Sequence, residues 1–283
     1  MNESPSGSLA TRTASAFAGG MNMWLLRLWS LACLPLALVA AEPVCPLPGY
    51  RFIWGDEFAG TKLDTDKWVY RTGPRLWSEQ RSANVSLVDG RLRLTGLKEA
   101  AGDLKYTAGG IISKRLFRYA YYEASFKVPP GAGWHTSFWV LRNGGQSDQP
   151  RVEIDICEND SVKLTDYGIN HHQWAPGKHV ALGGKHIKTP DLSAAFHVWG
   201  CEFTPTELRH YFDGKLVHSL DATKLQHGDG NVWLTTIAAG LGGTKAVDDK
   251  RLPAYAEFEY VRVFAPVAAA SAPEAKPTAP AAK

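Results

Sequence analysis

Between Tyr50 and Phe264 apolar and polar residues alternate in short runs, and no stretch carries an apolar stripe of helical period beyond a turn or two. Arg91-Leu92-Arg93-Leu94-Thr95 alternates in this way, as do Tyr121 to Val128, Leu208 to Phe212 and Glu257 to Phe264. A period of two puts successive side chains on opposite faces of a strand, so each run reads as a strand with one face buried. Turn signals divide the runs: Val88-Asp89-Gly90, Pro129-Pro130-Gly131, Asn143-Gly144-Gly145 and Asp213-Gly214. The last of these, between two alternating runs, predicts a tight hairpin. Only Asp191 to Phe196 suggests a short turn of helix. Many short antiparallel strands without helices predict an all-β sandwich or barrel. No internal repeat is visible.

The chain divides into three parts by composition. Residues 1–41 read as an N-terminal extension and a secretory signal peptide: Met21 to Met23, Arg27, an apolar run, then Val39-Ala40-Ala41 before Glu42. Arg27 and Pro35 interrupt the run, which is short for a membrane span of about 20 residues. The reading is therefore export without a span, to the periplasm or the medium. Residues 42–265 form the domain, and residues 266–283 are an Ala/Pro/Lys tail without apolar periodicity. After cleavage Cys45, Cys157 and Cys201 remain, an odd number, and the apolar surroundings of Cys157 and Cys201 predict buried thiols.

The formal charge is +3; the leader (Glu3, Arg12, Arg27) and the tail (Glu274, Lys276, Lys283) each contribute +1, leaving +1 on the domain. Such a balance offers no basic patch and argues against a nucleic-acid partner. Ten Trp, ten Tyr and eleven Phe suit a β-rich core and also stacking on sugar faces.

The chemistry concentrates in Arg151-Val152-Glu153-Ile154-Asp155-Ile156-Cys157-Glu158-Asn159-Asp160. In a regular strand Glu153 and Asp155 share a face and Glu158 falls on the other, where a carboxylate is costly. Alternatively, a one-residue bulge returns Glu158 to the face of the other two. Glu153 and Glu158 are then about 13 Å apart at Cα, and inward-leaning side chains could approach the roughly 5–5.5 Å separation of a retaining glycosidase pair. The competing use of clustered acids is a calcium site, but calcium loops sit on Gly/Asn/Asp turns rather than in apolar strands.

Glu-Ile-Asp-Ile-Cys-Glu resembles the bulged E-x-D-x-x-E signature of glycoside hydrolase family 16, laminarinase-like in type. The likeness extends through FIWGDEFAG (52–60), Asn84-Val85 with Val88 to Leu92, residues 106–129, Phe138-Trp139, residues 196–217 and YVRVF (260–264). The resemblance implies a concanavalin-like β-sandwich, or jelly roll, of two curved antiparallel sheets with a concave cleft for a polysaccharide. It implies Glu153 as nucleophile, Glu158 as general acid/base and Asp155 as the assisting acid. It places Asn84, Trp139 and His172 against the sugar, with the register of His172 against the adjoining His171 left open. Trp134, His135, Trp77 and Arg81 are further candidates for substrate contact.

The chain departs from the family at His135-Thr136-Ser137, where Trp-Pro-Ala is usual, with Trp134 one place earlier. At Glu259 many members carry an Asp that helps bind a structural calcium, so no metal and no cofactor is assigned. The expected activity is endo-acting, retaining hydrolysis of a β-1,3- or mixed-linkage β-glucan, by a monomer. A red-algal galactan is the alternative substrate. A non-catalytic glycan-binding sandwich is the alternative class, and it would have no need of all three acids.

Overall fold

The structure is a computed structural model and describes residues 41–143 and 151–267. The leader and most of the tail lie outside the described residues, as do Gly144 and Gly145. In chain order the strands are β1 (Tyr50–Asp56), β2 (Trp68–Tyr70), β3 (Gly73–Arg75), β4 (Ser78–Gln80), β5 (Val85–Val88) and β6 (Arg91–Gly96). They continue as β7 (Tyr106–Ala108), β8 (Gly110–Ser113), β9 (Ala120–Lys127), β10 (Trp134–Leu141), β11 (Arg151–Asp160) and β12 (Asp166–Ala175). The last are β13 (Lys178–Lys188), β14 (His197–Phe203), β15 (Glu207–Phe212), β16 (Lys215–Asp221), β17 (Asn231–Ala238) and β18 (Ala254–Pro266).

The two large sheets are antiparallel. One runs β16-β15-β14-β9-β18-β6-β5, with β1 also on β18; the other runs β13-β12-β11-β10-β17-β8-β2. A small third sheet, β3-β4-β7, contains a parallel pair. Alternation decides which residues lie between the sheets. On β10 Phe138 and Val140 turn inward, and on β17 Val232 and Leu234 do the same. From the other sheet Phe126 stacks on Trp199 at 3.8 Å and on Phe258 at 4.6 Å, all three fully buried. Each such ring contributes about 2–3 kcal/mol by leaving water.

The turn chemistry follows the sequence. Asp213 (φ 46°) and Gly214 (φ 74°) join β15 to β16, and Asp89 (φ 52°) and Gly90 (φ 70°) join β5 to β6. Positive φ at both central residues is the geometry that Asp-Gly accepts most readily in a hairpin. The helix expected at 191–196 is instead a turn: Asp191 Oδ1 accepts from Ser193 N, and Ala194 N donates to Asp191 O. Both bonds close one turn, and the extended backbone of β14 from His197 leaves no residues for a second. Short 3₁₀ segments occur at Ser82–Asn84 and Asp249–Arg251. Cys157 and Cys201 are fully buried and Cys45 partly so, and all three are unpaired thiols. None of the described helical segments is long and apolar enough to cross a membrane.

Candidate active site

The acidic strand is β11, and it carries the bulge. Against β10 it pairs Glu158 with Ser137, Cys157 with Phe138, and then Asp155 with Trp139. Against β12 it pairs Asp155 with Asn170 and Glu158 with Gly168, so two residues of β11 face one of β12. Ile156 and Cys157 both point inward, 1% and 0% exposed. The apolar pair fills the core and reverses the phase of the strand, which turns Glu158 and Asp160 to the outer face with Glu153 and Asp155. Neighbouring strands add outward side chains in register: His135, Ser137 and Trp139 from β10; Asn170, His172 and Trp174 from β12; Trp233 and Thr235 from β17.

The carboxylates have different partners. Trp174 Nε1 donates to Glu153 Oε2 at 2.5 Å. Asn170 Nδ2 donates to Glu158 Oε2. His172 Nε2 lies 3.4 Å from Asp155 Oδ2, and its Nδ1 is 3.0 Å from His179 Nε2. His179 stacks on Trp174 at 4.0 Å, closing a loop from Glu153 back to Asp155. His135 sits between two acids, with Nδ1 2.8 Å from Asp160 Oδ1 and Nε2 3.4 Å from Glu158 Oε1.

Burial and neighbours set the charges. Burial pushes Asp155 up to about 7; the contact with His172 opposes this, and Glu158 and Glu153 add to it. Burial also raises Glu153, against the Trp174 bond and the His172 charge. Burial would raise Glu158 too, but His135, Asn170 and His172 together hold it below the ordinary glutamate range. His172 is raised chiefly by its contact with Asp155.

Beside the acids lies an aromatic patch. Trp139 stacks on Trp233 at 4.6 Å; Trp139 Nε1 donates to Thr235 Oγ1, and Trp233 Nε1 donates to Leu141 O. The Arg71 guanidinium lies 5.2 Å from the Trp233 ring and 5.8 Å from that of Trp139. Burial and Arg75 lower Arg71 to about 10, opposed by Glu153. Among the described residues no carboxylate forms an ion pair with Arg71, which leaves its donors to a ligand.

The expected site residues do not all gather here. His172, rather than His171, meets the acids; His171 is fully buried on the inner side, with Nε2 2.9 Å from His210 Nε2. Asn84, expected against sugar, is 2% exposed, and its Nδ2 donates to Thr95 O and Thr107 Oγ1. Trp134 is 3% exposed: strand parity turns it inward, onto Ala108, Ala238, Val247 and Ala254. Trp77 packs against that same cluster. Arg81 is paired with Glu79 and Glu99, both at 3.0 Å. Trp134 and His135 were candidates alike, and alternation along β10 turns His135 to the outer face and Trp134 away from it. Trp174 shares the parity of His172 and was visible to the same rule. Arg71 and Trp233 were not, because only the register across β10, β17 and β8 brings them to Trp139.

Glu153, Asp155 and His172 offer donor atoms within 4.8 Å of one another. Glu153 and Asp155 come from β11 and His172 from β12, and no metal role is assigned to them. At the position of the family's calcium ligand, Ser125 Oγ donates to Glu259 Oε2 at 2.7 Å and Arg91 lies 3.8 Å from Oε1. A carboxylate already held by a hydroxyl and facing a guanidinium does not fit a divalent cation, and none enters the chemistry below.

A two-sheet β-sandwich that displays three carboxylates and a tryptophan pair on one face defines a glycan-cleaving enzyme, a glycoside hydrolase. The description Glycosyl hydrolases family 16 matches residues 71–243, and the chain belongs to that family. It is 27% identical over 247 residues to a β-glucanase of Rhodothermus marinus, covering 77% of this chain and 86% of that one. It is 31% identical over 192 residues to a β-glucanase of Acetivibrio thermocellus, covering 65% of this chain but only 54% of the relative. The fold superposes on a laminarinase from Flavobacterium sp. UMI-01 with a TM-score of 0.66 and 23% identity, over 76% of this chain and all of the other.

Proposed function

We propose that the protein is an endo-acting, retaining β-glucanase that cuts internal bonds of a β-1,3- or mixed-linkage β-glucan. The observation that carries this reading is the β11 bulge, which aligns Glu153, Asp155 and Glu158 on one face. Glu153 attacks the anomeric carbon; the bond to the leaving oxygen breaks and that oxygen takes a proton from the side of Glu158. Water then attacks the glycosyl ester, gives a proton back to Glu158 and frees Glu153, so the configuration is retained. Trp174 orients the nucleophile, and Asp155, protonated in part near neutral pH, lowers the negative charge beside Glu153. The Trp139–Trp233 pair supports a sugar face. The names of the relatives support the glucan, and the leader-like sequence supports export.

A second reading, an anionic galactan, is favoured by the unpaired guanidinium of Arg71. The test is release of reducing ends from laminarin, barley β-glucan, agarose, porphyran and κ-carrageenan, with Glu153→Gln alongside. The expected result is release from a glucan with retained anomeric configuration, absent in the variant while binding persists. Release from a galactan alone would overturn the glucan, and full activity of Glu153→Gln would overturn the nucleophile.

A further inference from the structure

An acid that protonates a leaving oxygen has to hold a proton before the reaction starts. The surroundings of Glu158 favour its ionised form. Asn170 Nδ2 can only donate, and it donates to Oε2. The other oxygen, Oε1, faces His135 Nε2 at 3.4 Å. Asp160 Oδ1 lies 2.8 Å from His135 Nδ1, so Nδ1 carries the hydrogen and Nε2 is the nitrogen aimed at Glu158. The imidazole is 9% exposed and has little water to exchange with. From β11 the groups facing it are Glu158 and Asp160, and from β17 the residue opposite is the apolar Ile237. Glu158 itself is faced by His135 from β10, by His172 and the uncharged Asn170 from β12, and by Glu153 and Asp155 along its own strand.

We propose that the proton donor of this enzyme is the Glu158–His135 pair, with the proton stored on His135 Nε2 and Asp160 fixing the ring. This rests on the acid/base reading of Glu158 given above. In the first step the Nε2 proton passes to Glu158 Oε1 and on to the leaving oxygen, which also keeps the electron pair of the broken C–O bond. His135 is left neutral and Glu158 ionised. In the second step the attacking water gives its proton to Glu158, and it returns to Nε2. No other reactant is needed. Burial opposes a charged His135, but the bond to Asp160 and the facing Glu158 outweigh it and push the ring up to about 9. His135 is a positioning and proton-holding residue; Glu158 remains the group that touches substrate.

The experiment is a pH profile of kcat/KM for wild type, His135→Gln and Asp160→Asn, on whichever of the five polymers the wild type cleaves. Gln fills the same space but cannot store a proton. With the pair as donor, the basic limb is set by loss of the His135 proton. His135→Gln then moves that limb to lower pH by about one unit or more, with the acidic limb unchanged. Asp160→Asn moves it less, in the same direction. A basic limb that stays in place in His135→Gln overturns the proposal. A second readout needs no substrate: ¹⁵N NMR of the histidine rings in the full-length chain. The expected spectrum at pH 7 shows His135 protonated on both nitrogens, and a neutral His135 at pH 7 overturns the pair. Should no polymer be cleaved, the glucanase reading fails while the ring titration still decides the pair. Should His135→Gln not fold, Asp160→Asn and the wild-type titration decide it.

Discussion

Replacing Trp174 by Phe removes one N–H and leaves the rest of the site in place. The ring still stacks on His179, 4.0 Å away at 21° between planes. The deleted bond runs 2.5 Å to Oε2 of Glu153, a half-buried carboxylate that burial already pushes toward its neutral form. A hydrogen bond to a charged group is worth about 1.5–3 kcal/mol, and one pH unit corresponds to about 1.4 kcal/mol. Losing a donor to the charged form raises the carboxyl, so Glu153 should move up by about 1–2 units. The acidic limb of kcat/KM moves up with it. Well below that limb, activity falls by about 10- to 100-fold, and on the plateau it changes little. The assay is a pH profile on the cleaved polymer, with circular dichroism to confirm folding. A uniform loss at every pH would make Trp174 a substrate contact, and an unmoved limb would remove its influence on Glu153 altogether.

Three other outcomes are expected. Glu158→Ala should lose about 10²- to 10⁴-fold on polymer and recover in part with azide and an activated aryl leaving group; absence of rescue would count against the acid/base role. Phe126→Ala should lower stability by about 3–5 kcal/mol in urea unfolding, because the ring is fully buried between Trp199 and Phe258. His171 is held near 4, mainly by burial, so between pH 6.5 and 4 the unfolded chain binds a proton that the native state refuses. Through His171 alone stability should fall by about 3 kcal/mol across that window as pH drops, and His171→Phe should make the dependence shallower, with buried His210 contributing in the same direction.

The strand pattern was legible because one face of each strand is buried, which forces a period of two. The bulge was legible for a related reason: only an inserted residue could keep three acids on one surface without burying a charge. What escaped was set by pairing between distant segments. Trp139 meets Trp233 only because β10 lies beside β17 in a particular register. Arg71 joins them from a loop held by Gly110, where its backbone N–H donates to Gly110 O. Asn84 showed the opposite failure. A likeness in sequence put its side chain on the sugar, whereas the fold turns it onto Thr95 and Thr107. Local pattern reports the face of a strand, and it does not report which neighbour supplies the other half of a site.

Along β11 the inward residues are Val152, Ile154 and Ile156, then Cys157 and Asn159, so the rule for what may change switches from even to odd numbers within one strand. Upstream of Ile156, a polar substitution at an even number damages folding; downstream, it does so at an odd one. Deleting Ile156 would remove the bulge, and plain alternation from Asp155 through Cys157 would still leave Glu158 and Asp160 on the outer face. The bulge is therefore the place where β11 takes a loss of one residue without turning an acid inward, whereas a deletion at Ile154 puts Asp155 on the core side. Among single deletions between Glu153 and Glu158, those of Ile156 or Cys157 should be the ones that keep all three acids on one face, and that of Ile154 should lose the site.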